Sequence, residues 1–313
     1  MNSEIDVTVI IINYNSFELL HNCLETIKEK TKDISIQVIV ADNSSTEGNV
    51  EQVTGHFKFV EVIKNAKNLG FAKANNLAAR KAKGKYLLLL NNDTLLLENS
   101  IKYLADYVQE LSGDFIVGCK LLNKDGSDQN SALKFPNLFR HFSATFFLDK
   151  IFFRSEFFSK KYLYLNKKNK PINVDSIFGA FIFIPKTTFD KIKGFDERFF
   201  FYYEDIDLCY RLNEIGGKVI YNPKTTIIHI GGSSASKNLL FEMKNKMISR
   251  IQYAQKHFKG FYQISFFVVE YCGLAIRFLT TLILGIILFN KQYLLKSYYS
   301  LRLLFIYPKN LFG

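Results

Sequence analysis

Over its first 120 residues the chain alternates short, wholly apolar runs with segments whose apolar positions recur every three or four residues. VTVIIINY (Val7 to Tyr14), QVIVAD (Gln37 to Asp42), FVEVI (Phe59 to Ile63), YLLLLNND (Tyr86 to Asp93) and FIVGCKL (Phe115 to Leu121) read as buried strands. Between them, FELLHNCLETIKEK and FAKANNLAARKAKGK read as helices with one apolar face. Strand and helix in turn predict an α/β fold with a largely parallel sheet covered on both faces. From Asn123 to about Asp175 the periodicity fades into an aromatic, lysine-rich stretch, read as an insertion that touches an acceptor or a membrane, or as a cap on the domain. Order returns with DSIFGAFIFIPK as a strand, EDIDLCYRL as a helix and GKVIYNPKTTIIHI as a further strand or two.

In parallel sheets, ligands sit beyond the carboxyl ends of the strands. Those ends are polar in a consistent way here: Asn13-Tyr14-Asn15, Asp42-Asn43-Ser44-Ser45 and Asn91-Asn92-Asp93. One such cluster is an ordinary turn; three on one edge form a crevice. A dinucleotide-binding site needs a glycine-rich turn after the first strand, and Asn13-Tyr14-Asn15-Ser16 has none. Asp93 serves equally as a turn former or as a ligand for Mg²⁺ or Mn²⁺, which take one or two protein oxygens and complete their shell with water and phosphates. His229, ending TTIIHI before Gly231-Gly232-Ser233-Ser234, turns the balance towards a metal and a diphosphate lying under that small-residue loop.

FFFYYEDIDLCYRL, Phe199 to Leu212, sets three carboxylates directly after five aromatic residues. On a helix starting there, Asp205 heads the apolar stripe Leu208, Cys209, Leu212 and Ile215. Asp207 has Arg211 as its i,i+4 partner, and Glu204 falls between the two faces. Apolar surroundings raise a carboxylate's pKa and make it a better base.

The net charge of +12 invites a nucleic-acid partner, but its distribution argues against one. From Lys237 onward there are 11 Lys/Arg against Glu242 and Glu270. This tail is also the most apolar part of the chain: Phe261 to Phe289 carries only Glu270 and Arg277 as charges. Basic residues among leucines and tyrosines suit an anionic cytoplasmic leaflet. The charge-free stretch Phe278 to Phe289 is shorter than the about 20 residues a spanning helix needs, which favours an interfacial attachment over a span; a buried hairpin closing a dimer is the alternative. Four cysteines without a C-x-x-C pair point to a reducing compartment, and the N-terminus reads as a strand without a leader.

VTVIIINYN, VIVADNSS, NLGFAKANN, LLLLNND, GAFIFIPK, GFDERFFFYYEDIDLCYRL and HIGGSS, in this order, resemble the family-two nucleotide-sugar glycosyltransferases, and within them the rhamnosyltransferase-like branch that builds bacterial surface polysaccharides. The likeness runs from about Asp6 to Ser236. It implies a GT-A domain over residues 1–236, interrupted by the insertion at about 123–175 and followed by a helical, membrane-associating tail at 237–313. It implies an inverting, metal-dependent transfer from a nucleoside-diphosphate sugar to a hydroxyl of a lipid-linked glycan at the cytoplasmic membrane face. The donor implied is dTDP-L-rhamnose, with a UDP-hexose or UDP-N-acetylhexosamine as the alternative. Carried over residue by residue, Asp42 binds the nucleobase or ribose with the loop of Asn13 and Asn15. Asn68, Gly70, Asn75 and Asn92 line the sugar-nucleotide pocket. Asp93, assisted by His229, holds Mg²⁺ or Mn²⁺; Asp205 is the catalytic base, with Glu204 beside it. Asn91 departs from the family pattern by replacing the first acid of the D-x-D, and so does Lys73, which stands where a small residue is usual. A non-catalytic nucleotide-sugar binder would have no use for Asp205.

Overall fold

The computed structural model describes residues 4–159, 161–162, 165, 168–231 and 239–312. The chain divides into two compact units: Met1–Lys134 with Tyr164–Ser234, and Phe135–Leu163 with Ala235–Gly313.

The first unit is built on a ten-stranded mixed sheet. β1 (Val7–Asn13), β2 (Ile36–Asp42), β3 (Val60–Lys64) and β4 (Tyr86–Asn91) form its parallel half, in the spatial order β3-β2-β1-β4. After β5 (Thr94–Leu96) and β6 (Phe115–Leu122) come the short β7 (Asp128–Gln129), β8 (Ala132–Leu133), β9 (Ile172–Asn173) and β10 (Ser176–Ile177), then β11 (Phe181–Pro185) and β12 (Lys218–His229). β11 inserts antiparallel between β4 and β6, while β12 runs parallel to β6 and antiparallel to β5. β12 is one strand, with an irregularity at Asn222 to Thr226 around Pro223, whose missing amide cannot join a ladder. DSIFGAFIFIPK is not one strand: it breaks at Phe178-Gly179-Ala180 between β10 and β11.

The helices follow from their apolar stripes. α1 (Phe17–Lys30) buries Leu20, Cys23, Leu24 and Ile27, spaced i, i+3, i+4, i+7, against the sheet core. α2 (Val50–Thr54) is a single turn and a half, and α3 (Gly70–Ala79) stops earlier than its sequence predicts. The buried Thr8 and Gln37 side chains take the amides of Gly84 and Lys83, each at 2.9 Å, and draw the chain off the helix into β4. Gly84 permits this approach, since a methyl there would lie 2.4 Å from the Thr8 nitrogen. α4 (Ser100–Tyr107) precedes β6.

α5 (Leu138–Thr145) and α6 (Leu148–Ile151) belong to the second unit; α7 (Lys186–Lys191) and α8 (Glu204–Glu214) belong to the first. The second unit is completed by α9 (Leu239–His257), α10 (Gly260–Ile287) and α11 (Lys291–Phe312), around Met247, Ile251, Leu274, Leu303 and Tyr307. Thus residues 135–163, within the stretch read as an insertion, pack with the tail rather than with the sheet.

Candidate active site

β1 lies between β2 and β4, so three polar strand ends share one edge. Asn13 and Asp42 are register partners, and Asn13 Nδ2 donates to Asp42 Oδ1 at 2.9 Å. Asn13 Oδ1 accepts from Asn92 Nδ2, also at 2.9 Å, which joins all three ends through one fully buried amide. Ser45 completes the cradle: its amide donates to Asp42 Oδ2 at 2.9 Å and its hydroxyl to Oδ1 at 2.6 Å. Asn15, at φ +49°, accepts the Thr46 amide at 2.7 Å and the Glu47 amide at 3.1 Å. Two loops are therefore tied into one rim around a carboxylate able to accept from a base N–H or a ribose hydroxyl.

Asn68 Oδ1 accepts the Gly70 amide at 2.9 Å, and Asn43 Nδ2 donates to Gly70 O at 3.1 Å. Gly70 has φ +78°, and a methyl there would fall 2.4 Å from Phe200 O. That close approach lets Phe71 N donate to Phe200 O at 3.0 Å, fixing α3 to the chain leading into α8. Asn75 is buried and donates to Phe71 O at 3.0 Å within its own helix. Lys73 forms an exposed ion pair with Glu197 at 3.1 Å.

At the end of β4, Asp93 and His229 come together on β12's partner edge: Asp93 Oδ1 lies 3.3 Å from His229 Nε2, both side chains being largely buried. Gly231 N donates to Asp93 Oδ2 at 3.1 Å. Gln129 sets the tautomer. Its Nε2 donates to Asn123 Oδ1 at 2.9 Å and His229 O at 3.1 Å, which turns its Oε1 to His229 Nδ1 at 2.7 Å. In the neutral ring this makes Nδ1 the N–H donor and turns the Nε2 lone pair to the Asp93 carboxylate, with Asn91 Nδ2 at 3.4 Å. A lone pair opposite a carboxylate oxygen is a donor set that fits a divalent cation. Among the described residues no cluster of three or more His, Cys, Asp or Glu gathers in this way, so phosphate and water oxygens would supply the rest of the shell. Gly232, Ser233 and Ser234 lie outside the described residues.

α8 opens after Tyr202 and Tyr203, at φ +73° and +71°, two bulky residues held in the left-handed region. The sequence places Asp205 at the head of the buried stripe; the structure differs. Asp207 is fully buried, Glu204 is 7% exposed, and Asp205 is the partly accessible acid. The first turn lies inside the protein on more than one side, a burial that a single-stripe reading cannot register. Arg211 Nε holds Asp207 Oδ2 at 2.7 Å, and its other nitrogens reach Ile192 O and Gly194 O, the latter at 2.6 Å. Asp205 Oδ2 accepts from Gly179 N at 2.9 Å and Oδ1 from Ile206 N at 2.8 Å. Next to Gly179, Ala180 O accepts from Asn91 N at 3.1 Å. One side chain–backbone and one backbone–backbone hydrogen bond thus connect Asp205 to the strand end that carries Asp93.

Burial raises the Asp205 carboxyl above its usual 3.8, opposed by the Gly179 and Ile206 amides. Burial and then the Asp205 charge push Glu204 well above 4.5, and Glu204 Oε2 has no hydrogen-bond partner among the described residues. A carboxyl whose pKa rises on folding binds its proton more tightly in the folded chain. Its contribution to stability is present at low pH and is lost as pH rises through the folded value. Glu204→Gln, neutral throughout, is therefore expected to gain stability over the wild type as pH increases from 5 to 8.5. Thermal melts across that range check this; parallel curves for the two proteins would contradict a buried neutral Glu204.

The model of glycosyl transferase family 2 matches residues 8–192, more than half of the chain and all of the edge up to Asp93. The chain belongs to glycosyl transferase family 2. A second model, described as the N-terminal domain of galactosyltransferase, matches residues 160–231 and so takes in α8 and His229. Among curated relatives, the rhamnosyltransferase WbbL of Escherichia coli is 27% identical over 71% of this chain and 83% of its own length. The N-acetylglucosaminyl-diphospho-decaprenol L-rhamnosyltransferase of Mycobacterium tuberculosis is 24% identical over 74% and 78%. The mannosyltransferase PcManGT of Pyrobaculum calidifontis, solved with GDP-Man and Mn²⁺, shares the fold with a TM-score of 0.57 at 17% identity, over 99% of this chain and 88% of that one. This glycosyltransferase is rhamnosyltransferase-like and its sheet is of the GT-A kind.

Sequence reasoning passed over Ser45 as a site residue and missed Gln129. Ser45 stood in the quoted cluster, and its i+3 spacing from Asp42 was the available signal. Gln129 lies on a two-residue strand in a stretch without periodicity, where no signal marked it.

Proposed function

We propose that this glycosyltransferase moves L-rhamnose from dTDP-L-rhamnose to a hydroxyl of a lipid-linked glycan at the cytoplasmic membrane face, with inversion at the sugar carbon. The observation that carries the reading is the chain of contacts from Asp42 through Asn13 to Asn92, and from Asn91 through Ala180 and Gly179 to Asp205. In this reading the contacts hold the Asp42 cradle, the Asp93–His229 pair and the partly accessible Asp205 carboxylate on one frame. The names of the two rhamnosyltransferase relatives support the donor, and the decaprenol-linked substrate in one of them supports the acceptor.

In this reading Asp42, with Asn13, Asn15 and Ser45, accepts hydrogen bonds from the nucleoside. Asn92 and the Asn68–Gly70 turn border the sugar-nucleotide pocket, with Asn75 locking the helix behind it. Asp93 and His229 would hold Mg²⁺ or Mn²⁺, and the cation would supply charge neutralisation for the leaving diphosphate. Asp205 takes the proton of the acceptor hydroxyl as that oxygen attacks the face opposite the leaving group. Glu204, kept neutral by burial, leaves the negative charge of the pair on Asp205.

A panel of dTDP-L-rhamnose, UDP-hexoses and UDP-N-acetylhexosamines, each with Mg²⁺ or Mn²⁺ and scored by thermal shift and donor hydrolysis, tests the donor. dTDP-L-rhamnose is expected to give the largest response; a response confined to UDP-sugars would replace it. Asp93→Ala is expected to weaken metal-dependent donor binding by at least the roughly 10- to 100-fold that loss of an outer-shell partner costs. Calorimetry with and without Mn²⁺ reads this, since metal-free nucleotide binding through Asp42 should persist.

A further inference from the structure

The second unit has a small interior and charges directed into it. α5 lies along α10 in a parallel sense. Leu138 N donates to the Tyr262 hydroxyl at 2.7 Å, His141 stacks on Phe266 with centroids 4.2 Å apart, and a methyl at Gly273 would sit 3.2 Å from Thr145 Cγ2. Within this seam Glu270, 4% exposed, pairs with Arg250 at 2.7 Å and His141 at 3.0 Å. Arg277 is then the one charge that α10 exposes.

What remains outside is apolar. Phe139 and Phe142 stand one residue, about 100°, round α5 from the positions that contact α10, Phe146 follows directly on the helix end, and all three are exposed. The chain continues through Ile151, Phe153 and Phe157, which are 65%, 63% and 68% exposed. α10 is long and apolar enough to cross a membrane, and few of the residues in its most apolar stretch are buried. A helix of this composition inside a soluble core is covered; this one is not.

Four cations of this unit lie on aromatic faces. Lys150 sits 5.1 Å from the Phe147 centroid, Arg154 5.3 Å from Phe153, Lys296 5.6 Å from Tyr293 and Arg302 5.7 Å from Tyr298. Among the described residues none of these four pairs with a carboxylate. Apolar side chains edged by cations on aromatic rings match the boundary where acyl chains meet phosphate headgroups. A spanning placement fits less well, because it would carry Glu270, Arg250 and His141 towards the bilayer interior.

We propose that residues 139–157 and the exposed faces of α10 and α11 form one lipid-docking surface that lies in the interface of an anionic bilayer, the internal segment being as much a part of it as the tail. The inference deepens the membrane location proposed above. It is read by lipid binding rather than by sugar transfer, so either can fail alone.

The test is co-sedimentation of the full chain with vesicles of phosphatidylcholine alone or with added phosphatidylglycerol. Binding is expected to need the anionic lipid and to fall with salt. Lys150→Glu with Arg154→Glu should weaken it at least about tenfold, and Phe153→Glu with Phe157→Glu should do the same, with thermal melts and donor hydrolysis unchanged. Binding unaffected by both pairs would overturn the role of the internal segment. A stable dimer that ignores vesicles would assign the surface to a second copy, and resistance to alkaline carbonate extraction would replace docking by spanning; either result overturns the proposal.

Discussion

Asp205→Asn is expected to lower sugar transfer by about 10²- to 10⁴-fold, the usual worth of a general base, while donor affinity is retained. Both Asp205 oxygens accept backbone amides, from Gly179 and Ile206. An asparagine keeps the shape and one of these acceptors but cannot take a proton from an attacking hydroxyl. Because burial raises the Asp205 carboxyl, the wild-type rate should also decline as pH falls through that raised value, when the base is protonated. Steady-state kinetics with calorimetric donor binding separate the possibilities. Full transfer by the variant would sink the base assignment, and loss of donor binding would make Asp205 a wall of the pocket instead.

Arg211→Ala should cost about 3–5 kcal/mol of stability, the range for breaking a buried ion pair by removing one partner. Asp207 is fully buried, and Arg211 spans from it to Ile192 O and Gly194 O. On the other side of the same turn, Asn76 grips Phe195 with both amide atoms, each contact at 2.9 Å. Gly194, at φ +61°, admits that grip, because a methyl there would lie 2.5 Å from Asn76 Oδ1. Losing Arg211 releases one side of the turn and the chain that leads to Asp205. Arg211→Lys keeps the charge without the planar fork and should recover only part of the loss. Urea unfolding measures both; an Arg211→Ala midpoint equal to the wild type would show that Asp207 is satisfied without it.

The parallel half of the sheet was legible because its strands are buried on both faces and therefore apolar throughout, as VTVIII and YLLLLN are. α1 was legible from end to end, since its stripe matches its burial. The end of α3 was not: Gln37 and Thr8, far away in sequence, decide it. At the site, the polar strand ends and the Asp93–His229 pair followed from position. The order of burial among Glu204, Asp205 and Asp207 did not, because it depends on which elements surround the first turn of α8. The packing of α5 on α10 joins residues 124 positions apart, and no local period encodes it.

That separation has a consequence during synthesis. At about 5–20 residues per second, roughly 6–25 s pass between the emergence of Leu138 and that of its partner Tyr262. Through that interval Phe139 and Phe142 of α5, and Phe146, Phe147, Phe152 and Phe153 on either side of α6, lack α10. The nascent chain is then at its most aggregation-prone, and early arrival at a membrane or a holding chaperone would decide how much enzyme survives to fold.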